Sequence, residues 1–249
     1  MAELSDSVVI VTGAAQGIGE CIARTLASAD ATLLLADIQE AKVAGVAASL
    51  RQAGARVESV GVDIGDPRLT DAMVAAALRH FGRVDGLVND AGLDAPPGLA
   101  WEIDEAHWRR LIDVDLSGPW WCIKSVLPHM LARRRGKIVT ISSVQARIGS
   151  PRYSPAYAAA KAGLIGLTVG LSAQLEPHGI LVNAIAPGAI GTTGTPMAEE
   201  EAQAYLRSFP LGFGGPQPVA DAVRFLLGPS GDWLSGVVLN VSGGRVRGM

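Results

Sequence analysis

The chain has 249 residues, 49% of them apolar, and a formal net charge of −3. That is enough apolar sequence for one large α/β core, and too little charge of either sign for wholesale attraction to nucleic acid or an anionic membrane. The two cysteines, Cys21 and Cys122, make no CxxC pair or disulfide framework; both lie in apolar helical sequence, read as buried free thiols, and fit a reducing compartment.

In chain order, the segment Met1–Asp6 is short and acidic and lacks the basic start and apolar core of an export signal, so a cytoplasmic protein is expected. A first strand is predicted over Val8–Thr12 and a helix over Ile18–Ala29; then strand Thr32–Ala36 and helix Gln39–Ala53; then strand Val57–Val62 and helix Arg68–Phe81. Strand Gly86–Asn89 leads to a long helical stretch, Glu105–Arg133, and strand Lys137–Ser142 to the helix Ala156–Pro177. The last strands are Leu181–Ile185 and Val237–Val241. Between them Thr193–Pro210 reads as a short mobile lid with a helix near Ala198–Phe209, and Leu211–Pro218 as a loop. Near-continuous apolar strands separated by helices give a doubly wound α/β fold: a mostly parallel seven-stranded sheet with helices on both faces. Without a linker, repeat or low-complexity tract, residues 1–249 read as a single domain.

Two helices, Ala156–Pro177 and Trp120–Leu131, are apolar on nearly every face and need partners on more than one side. A twin subunit is the expected cover, since an exposed face would leave a large apolar patch. No stretch of about twenty apolar residues is expected to cross a bilayer. The four histidines, His80, His107, His129 and His178, are scattered without a second ligand at metal spacing, so no metal site is predicted. The run Arg133-Arg134-Arg135-Gly136-Lys137 reads as a solvated helix end and turn, or else as a dock for an acidic partner.

Three features carry chemistry. The first strand runs into Thr12-Gly13-Ala14-Ala15-Gln16-Gly17-Ile18-Gly19 and a helix follows. Glycines at 13, 17 and 19 let the backbone turn sharply and approach a ligand, and the free N–H groups and positive dipole end of the helix suit a diphosphate. The second strand ends in Asp37, eighteen residues beyond Gly19, where a carboxylate accepts from the two adenosine-ribose hydroxyls and repels a 2′-phosphate. Gln16 in the loop is neutral and brings no compensating charge, so NAD is favoured over NADP; the plain alternative for Asp37 is a solvated strand end. Third, Tyr157 and Lys161 are four apart at the start of a helix and share a face. The ammonium is expected to lower the tyrosine pKa by about 1–3 units, fitting Tyr157 to exchange a proton with a substrate oxygen. Ser143 ends the preceding strand and can hydrogen-bond the same oxygen as negative charge builds there. A Tyr-x-x-x-Lys pair alone is a common coincidence; the serine-ended strand and glycine loop give it weight.

On these motifs the sequence resembles the short-chain dehydrogenase/reductase family over essentially its whole length. The likeness rests on Thr12–Gly19, Asp37, Asp63, Asn89-Asp90-Ala91-Gly92, Lys137–Ser143, Tyr157-Ala-Ala-Ala-Lys161, Asn183-Ala-Ile-Ala-Pro187-Gly188, Thr192 and Gly243-Gly244. The resemblance implies a Rossmann-type dinucleotide-binding domain and a homotetramer formed through the two apolar helices. It implies that Ile38, Asp63 and Ile64 line the adenine side, that Asn89, Ala91 and Gly92 stiffen the sheet beside the cofactor, and that Pro187, Gly188, Ile190 and Thr192 flank the nicotinamide. Lys161 would also hold the nicotinamide ribose.

Three positions depart from the family pattern: Asp90 and Asp115 stand where asparagine is usual, and Ser242 where aspartate is usual. The family's asparagine at 115 helps hold a water that relays protons to the lysine. As a fourth catalytic residue Asp115 would pair with Lys161, offset the charge acting on Tyr157, and move the activity profile to more alkaline pH; protonated, it would behave as asparagine does. The positions implied to face the substrate are Asp94, Ala95, Gln145, Tyr153, Ala189 and Ile190, with Trp101 and Arg147 either reaching the pocket or packing at the surface. The reading is an NAD-dependent oxidoreductase interconverting a small or medium secondary alcohol and its ketone. Two alternatives stand beside it: a nucleotide-sensing protein that has lost turnover, suggested by Asp90 and Asp115, and a carrier-linked 3-oxoacyl reductase docking an acidic carrier on Arg133–Arg135.

Overall fold

A computed structural model describes residues 3–94, 98–151, 153–190 and 199–248. Seven parallel strands form one sheet: β1 (Val8–Thr12), β2 (Thr32–Asp37), β3 (Val57–Gly61), β4 (Gly86–Asn89), β5 (Gly136–Ile141), β6 (Ile180–Pro187) and β7 (Val238–Val241), in the order β3-β2-β1-β4-β5-β6-β7. The order reverses between β1 and β4, and that switch point opens a crevice at the carboxyl ends of the strands. Every residue of β1, β2 and β4 is buried, as expected of central strands covered on both faces.

One face of the sheet is covered by α1 (Gly17–Ser28), α2 (Glu40–Gln52) and α8 (Gln217–Leu227), which bury Ile22, Leu26, Val43, Val219 and Val223 among others. The opposite face is covered by α3 (Pro67–Phe81), α5 (Gly118–Arg133) and α6 (Pro155–Leu175), which bury Met73, Val74, Cys122, Ile123 and Leu171. Local chemistry sets the helix ends. Asp66 caps α3 through the Arg68 amide, Pro67 opens it and Gly82 closes it at φ +78. Ser154 caps α6 through the Ala156 amide, and Pro155 opens it.

Four expectations are corrected. The stretch Glu105–Arg133 is not one α-helix: α4 (Glu105–Ile112) and α5 are joined by a π-helical turn, Asp113–Ser117. Such turns add a residue to the helix and tend to occur at functional sites. The loop at Leu211–Pro218 ends early, because α8 starts at Gln217; its apolar residues Val219, Ala220, Val223, Leu226 and Leu227 fall on one buried face. Cys21 is only half-buried, at the α1–α8 rim, where its thiol donates to Gln217 Oε1 at 3.3 Å; Cys122 is buried, and both are free. The segment Pro155–His178 is long and apolar enough, by length and composition, to cross a membrane; here its α6 part lies on the sheet beside β6. The basic run is the expected exposed helix end and turn before β5, partly tied to neighbouring segments. Arg133 pairs with buried Asp85 at 2.8 Å, Arg134 donates to the Pro177 carbonyl, and Lys137 donates to the Leu227 and Gly228 carbonyls and pairs with Asp232.

Of the lid, α7 (Glu199–Arg207) lies among the described residues, while the expected start of the lid at 193–198 lies outside them, as do Ala95 and Thr192.

Candidate active site

The strand ends at the switch point open onto a cleft of about 730 Å³. Its floor is the glycine loop. Gly13 (φ +74) and Gly17 (φ +63) occupy left-handed backbone, which glycine adopts without steric cost. A Cβ on Gly13 would lie 2.7 Å from the Ala91 nitrogen, and one on Gly19 only 2.1 Å from the Gly13 carbonyl oxygen. A side chain at either position would collide with the backbone packed against the loop and force it out of shape. Gln16 precedes α1 without a side-chain cap; the Gly19 amide donates to Asp90, which leaves the Gly17 and Ile18 amides to the cleft, the arrangement that suits a diphosphate. The Thr12 hydroxyl accepts from the Asp90 and Ala91 amides at 3.2 Å and donates to the Val88 carbonyl, locking the end of β1 to the end of β4.

Asp37 is buried, and its two oxygens accept from the Ala15 amide (3.0 Å) and the Gln39 amide (2.9 Å). The carboxylate therefore staples the glycine loop to the turn after β2 as well as facing the cleft. Next to it, Lys42 Nζ donates to Gln16 Oε1 at 3.4 Å. Gln16 itself is neutral, but α2 does bring a cation to this edge, one the sequence reading did not weigh.

At the other end Ser143, Tyr157 and Lys161 line the cleft together. Ser143 lies just past β5 and its hydroxyl accepts from the Gln145 amide at 3.1 Å. Lys161 is 6% exposed; its Nζ is 5.5 Å from the centre of the Tyr157 ring and donates to the Ile141 carbonyl at 3.4 Å. The pKa expectation for Tyr157 is reversed. Burial holds the phenol above its ordinary value; Lys161 and Ser143 pull downward without overcoming that, and Asp115 and Asp94 push upward. Burial works to lower the Lys161 pKa, but the negative charges of Asp115, Tyr157, Asp90 and Asp94 outweigh it and hold the ammonium above its ordinary range.

Asp115 sits in the π-helical turn with no exposed surface. Its Oδ1 accepts from the Leu93 amide at 2.7 Å, and its Oδ2 finds no partner. A Cβ on Gly92 would be 2.5 Å from Asp115 Oδ1 and 3.3 Å from Lys161 Nζ, so only the bare glycine separates carboxylate from ammonium. Burial raises the Asp115 pKa against the pull of Lys161 and the Leu93 amide. Asp90 lies against the glycine loop, where a Cβ on Gly19 would meet its Oδ2 at 2.7 Å. Burial first, and then the charges of Asp37 and Asp94, push its pKa up to about 7 despite Lys161 and the Gly19 amide.

The family model for short chain dehydrogenases matches residues 7–205. The chain belongs to the short-chain dehydrogenase family. It is 38% identical over 244 residues to a cis-4-hydroxycyclohexanecarboxylate dehydrogenase from Sinomonas cyclohexanicum, covering 96% of each chain. It is 34% identical over 249 residues to a 3-oxoacyl-[acyl-carrier-protein] reductase from a Synechocystis strain, covering 99% of each. Among solved structures it superposes on a 7α-hydroxysteroid dehydrogenase complexed with NADH and 7-oxo glycochenodeoxycholic acid, with a TM-score of 0.93 and 32% identity, covering 99% of this chain and 97% of that one.

In this short-chain dehydrogenase most of the positions singled out from the sequence meet in the one cleft. Gly13, Gln16, Gly17, Ile18, Asp37, Ile38, Asp63, Ile64, Ala91 and Gly92 line it, as do Pro187, Gly188, Ala189 and Ile190. Asp94, Gln145 and Tyr153 line it beside Tyr157. Three positions do not: Gly19 is packed beneath Gly13, Asn89 faces away and donates to the Pro119 carbonyl of α5 at 3.5 Å, and Asp115 lies behind Gly92; Thr192 lies outside the described residues. Arg147 pairs with Asn240 at 2.9 Å and Trp101 is 80% exposed, so both belong to packing and surface. Sequence reasoning passed over Arg110, Val114, Tyr205 and Phe213 as lining residues. Arg110 and Val114 sit on and just after α4, where the π-helical turn resets the helical face. Tyr205 is on α7, and nothing in its spacing announces that it turns inward.

Proposed function

We propose that this protein is an NAD-dependent dehydrogenase of small or medium secondary alcohols, folded as one dinucleotide-binding domain. The observation that carries the reading is that Tyr157 and Lys161 face the same cleft as the glycine cradle, with the ammonium 5.5 Å from the phenol ring centre. The close packing at Gly13 and Gly19 holds the loop against the end of β4 and leaves no room for a side chain there, so the loop keeps its backbone turned to the cleft as a diphosphate requires. When bound, NAD supplies the hydride acceptor; the protein's task is the proton. Tyr157 takes the alcohol proton as the carbon loses hydride, and returns it in the reverse direction. Ser143 donates to the substrate oxygen, whose charge changes most during the step. Lys161 keeps a positive charge beside the phenol and favours its ionised form against the cost of burial. Asp115 restrains that ammonium from behind Gly92. Asp37 favours a free 2′-hydroxyl on the adenosine ribose and disfavours a 2′-phosphate.

Two free thiols support a reducing, cytoplasmic setting. The outward side of α6 has Val169 53% exposed, and Gly166 and Gly170 meet no neighbour. This supports a homotetramer closed over α5 and α6 by further copies of the chain.

The test is a nucleotide-absorbance assay on a panel of secondary alcohols and ketones with NAD(H) and NADP(H), repeated with Tyr157→Phe. NAD-linked turnover that is lost in the variant is expected. Undiminished turnover in the variant removes the catalytic assignment. Activity confined to carrier-bound 3-oxoacyl groups with NADPH favours the carrier-linked reductase, which the Synechocystis relative keeps in view.

A further inference from the structure

The side chains lining the cleft divide by charge. Arg110 stands on the side of Asp63 and Val114, since all three also border a neighbouring groove. At the end where Tyr157 stands, Lys161 is the cation that lines the wall among the described residues, and it is already faced by Asp115, Tyr157, Asp90 and Asp94. Of those carboxylates, Asp94 is the odd one. It is exposed at the rim and lines the cleft, and it makes no ion pair or hydrogen bond to a described residue. Its charge nevertheless bears on Tyr157, Lys161, Asp90 and Asp115 together, which places an anionic acceptor, without a partner among the described residues, close to the reacting atoms.

The other polar side chains that line this end are neutral, with the charge of Arg245 reaching Tyr205 from behind the wall. Tyr205 reaches in from α7 to stand beside Tyr153 and near Tyr157, and burial keeps its phenol protonated well above the usual range. Its ring is braced edge-on against Phe209 at 5.2 Å, and the Arg245 guanidinium lies over that same Phe209 ring at 6.0 Å. Tyr153 and Tyr205 thus offer hydroxyls that donate or accept without charge, on a wall otherwise made of ring faces such as Phe213.

We infer that this end of the cleft takes a neutral alcohol carrying a second hydroxyl beside the reacting one, that Asp94 is the residue selecting it, and that an anionic group at the same position is refused. The inference rests on the dehydrogenase reading above. A second hydroxyl donates to Asp94 and accepts from a phenol, so each partner is satisfied. A carboxylate in its place would meet a like charge; about 6 Å away in a partly wetted cleft, that weakens binding about tenfold to a hundredfold. An ammonium would suit Asp94 but would sit beside Lys161, whereas a hydroxyl carries no such conflict.

The test compares kcat/KM with NAD for cyclohexane-1,2-diol, cyclohexanol, 2-aminocyclohexanol and 2-hydroxycyclohexanecarboxylate, in the natural protein and in Asp94→Asn. The diol is expected to lead and the hydroxycarboxylate to trail. In Asp94→Asn the ratio of diol to hydroxycarboxylate should fall about tenfold or more, with Tyr205→Phe raising KM for the diol more than it lowers kcat. Turnover in which the hydroxycarboxylate or the amino alcohol leads, or a ratio that Asp94→Asn leaves unmoved, overturns the inference while leaving the dehydrogenase standing. Absence of oxidation or reduction of any alcohol or ketone with either nucleotide overturns the dehydrogenase reading and this inference with it.

Discussion

Asp90 offers the sharpest quantitative test, because its carboxyl titrates near neutrality inside the cradle. An unfolded aspartate has a pKa of about 3.9; in the fold, burial against the glycine loop and the neighbouring charges of Asp37 and Asp94 raise it to about 7. The folded state therefore holds the Asp90 proton more tightly than the unfolded state does. Below about pH 4 both states are protonated and the group is neutral toward stability. As pH rises from there, ionisation destabilises the fold progressively, and the effect is complete once pH exceeds the folded value. Three pH units at about 1.36 kcal/mol each give an upper bound of about 4 kcal/mol. Asp90 is partly exposed along the cleft, so about 2 kcal/mol is the better expectation. In Asp90→Asn a side-chain oxygen remains to accept from the Gly19 amide, and the charge is gone. The variant should be more stable than the natural protein at pH 8, with the gap narrowing toward pH 5. About a third of the effect is already present at pH 5, so at about 2–4 °C per kcal/mol for a chain of this size its Tm advantage should be roughly 3–5 °C larger at pH 8 than at pH 5. Thermal unfolding followed by circular dichroism without nucleotide, at half-unit steps of pH, measures this directly. A Tm gap that does not vary with pH, or a natural protein more stable at pH 8, would refute the argument.

Further outcomes follow from the same geometry. Tyr157→Phe removes the proton-transfer group and should lower kcat with NAD by about 10²–10⁴-fold with little change in far-ultraviolet circular dichroism; steady-state kinetics decides. Asp37→Ala should raise KM for NAD about tenfold and narrow the preference over NADP, helped by the nearby Lys42, and should also destabilise the fold by about 1–3 kcal/mol, because it strands the Ala15 and Gln39 amides; paired nucleotide titrations and urea unfolding measure both effects. Asp115 pushes the Tyr157 pKa upward, so Asp115→Asn should move the ionisation that governs kcat/KM to lower pH, by about one unit; an unmoved pH–rate curve removes Asp115 from the proton machinery.

Much of this cleft could be read from the chain because its chemistry depends on local rules. The glycine loop needs left-handed backbone at Gly13 and Gly17 and close approach at Gly19, and those demands leave a signature in residue type at fixed spacing. Tyr157 and Lys161 share a face because a helix repeats every 3.6 residues. Strand positions were legible because a doubly covered parallel sheet asks for continuous apolar runs. The α8 segment carries a clear helical stripe in Val219, Val223 and Leu227; only its first two residues, Gln217 and Pro218, fall in the stretch whose Pro/Gly content reads as a loop.

What escaped the sequence depends on three-dimensional context. The π-helical turn at Asp113–Ser117 leaves no mark in composition, yet it puts Asp115 behind Gly92 and turns Val114 toward the cleft. A periodicity argument that runs one continuous helix through this stretch assigns the faces wrongly beyond the turn. The sign of the Tyr157 shift escaped for a related reason. Spacing alone shows the favourable cation four residues away, while the burial that outweighs it and the opposing charges of Asp94 and Asp115 come from other loops and helices. A charge pair adjacent in sequence therefore says which groups meet, and only the packing around them says which protonation state wins. Here burial favours the neutral phenol, so whatever ionises Tyr157 during turnover must add to the pull of Lys161 and Ser143. The Asp115→Asn pH profile measures how much of that opposition a single carboxylate supplies.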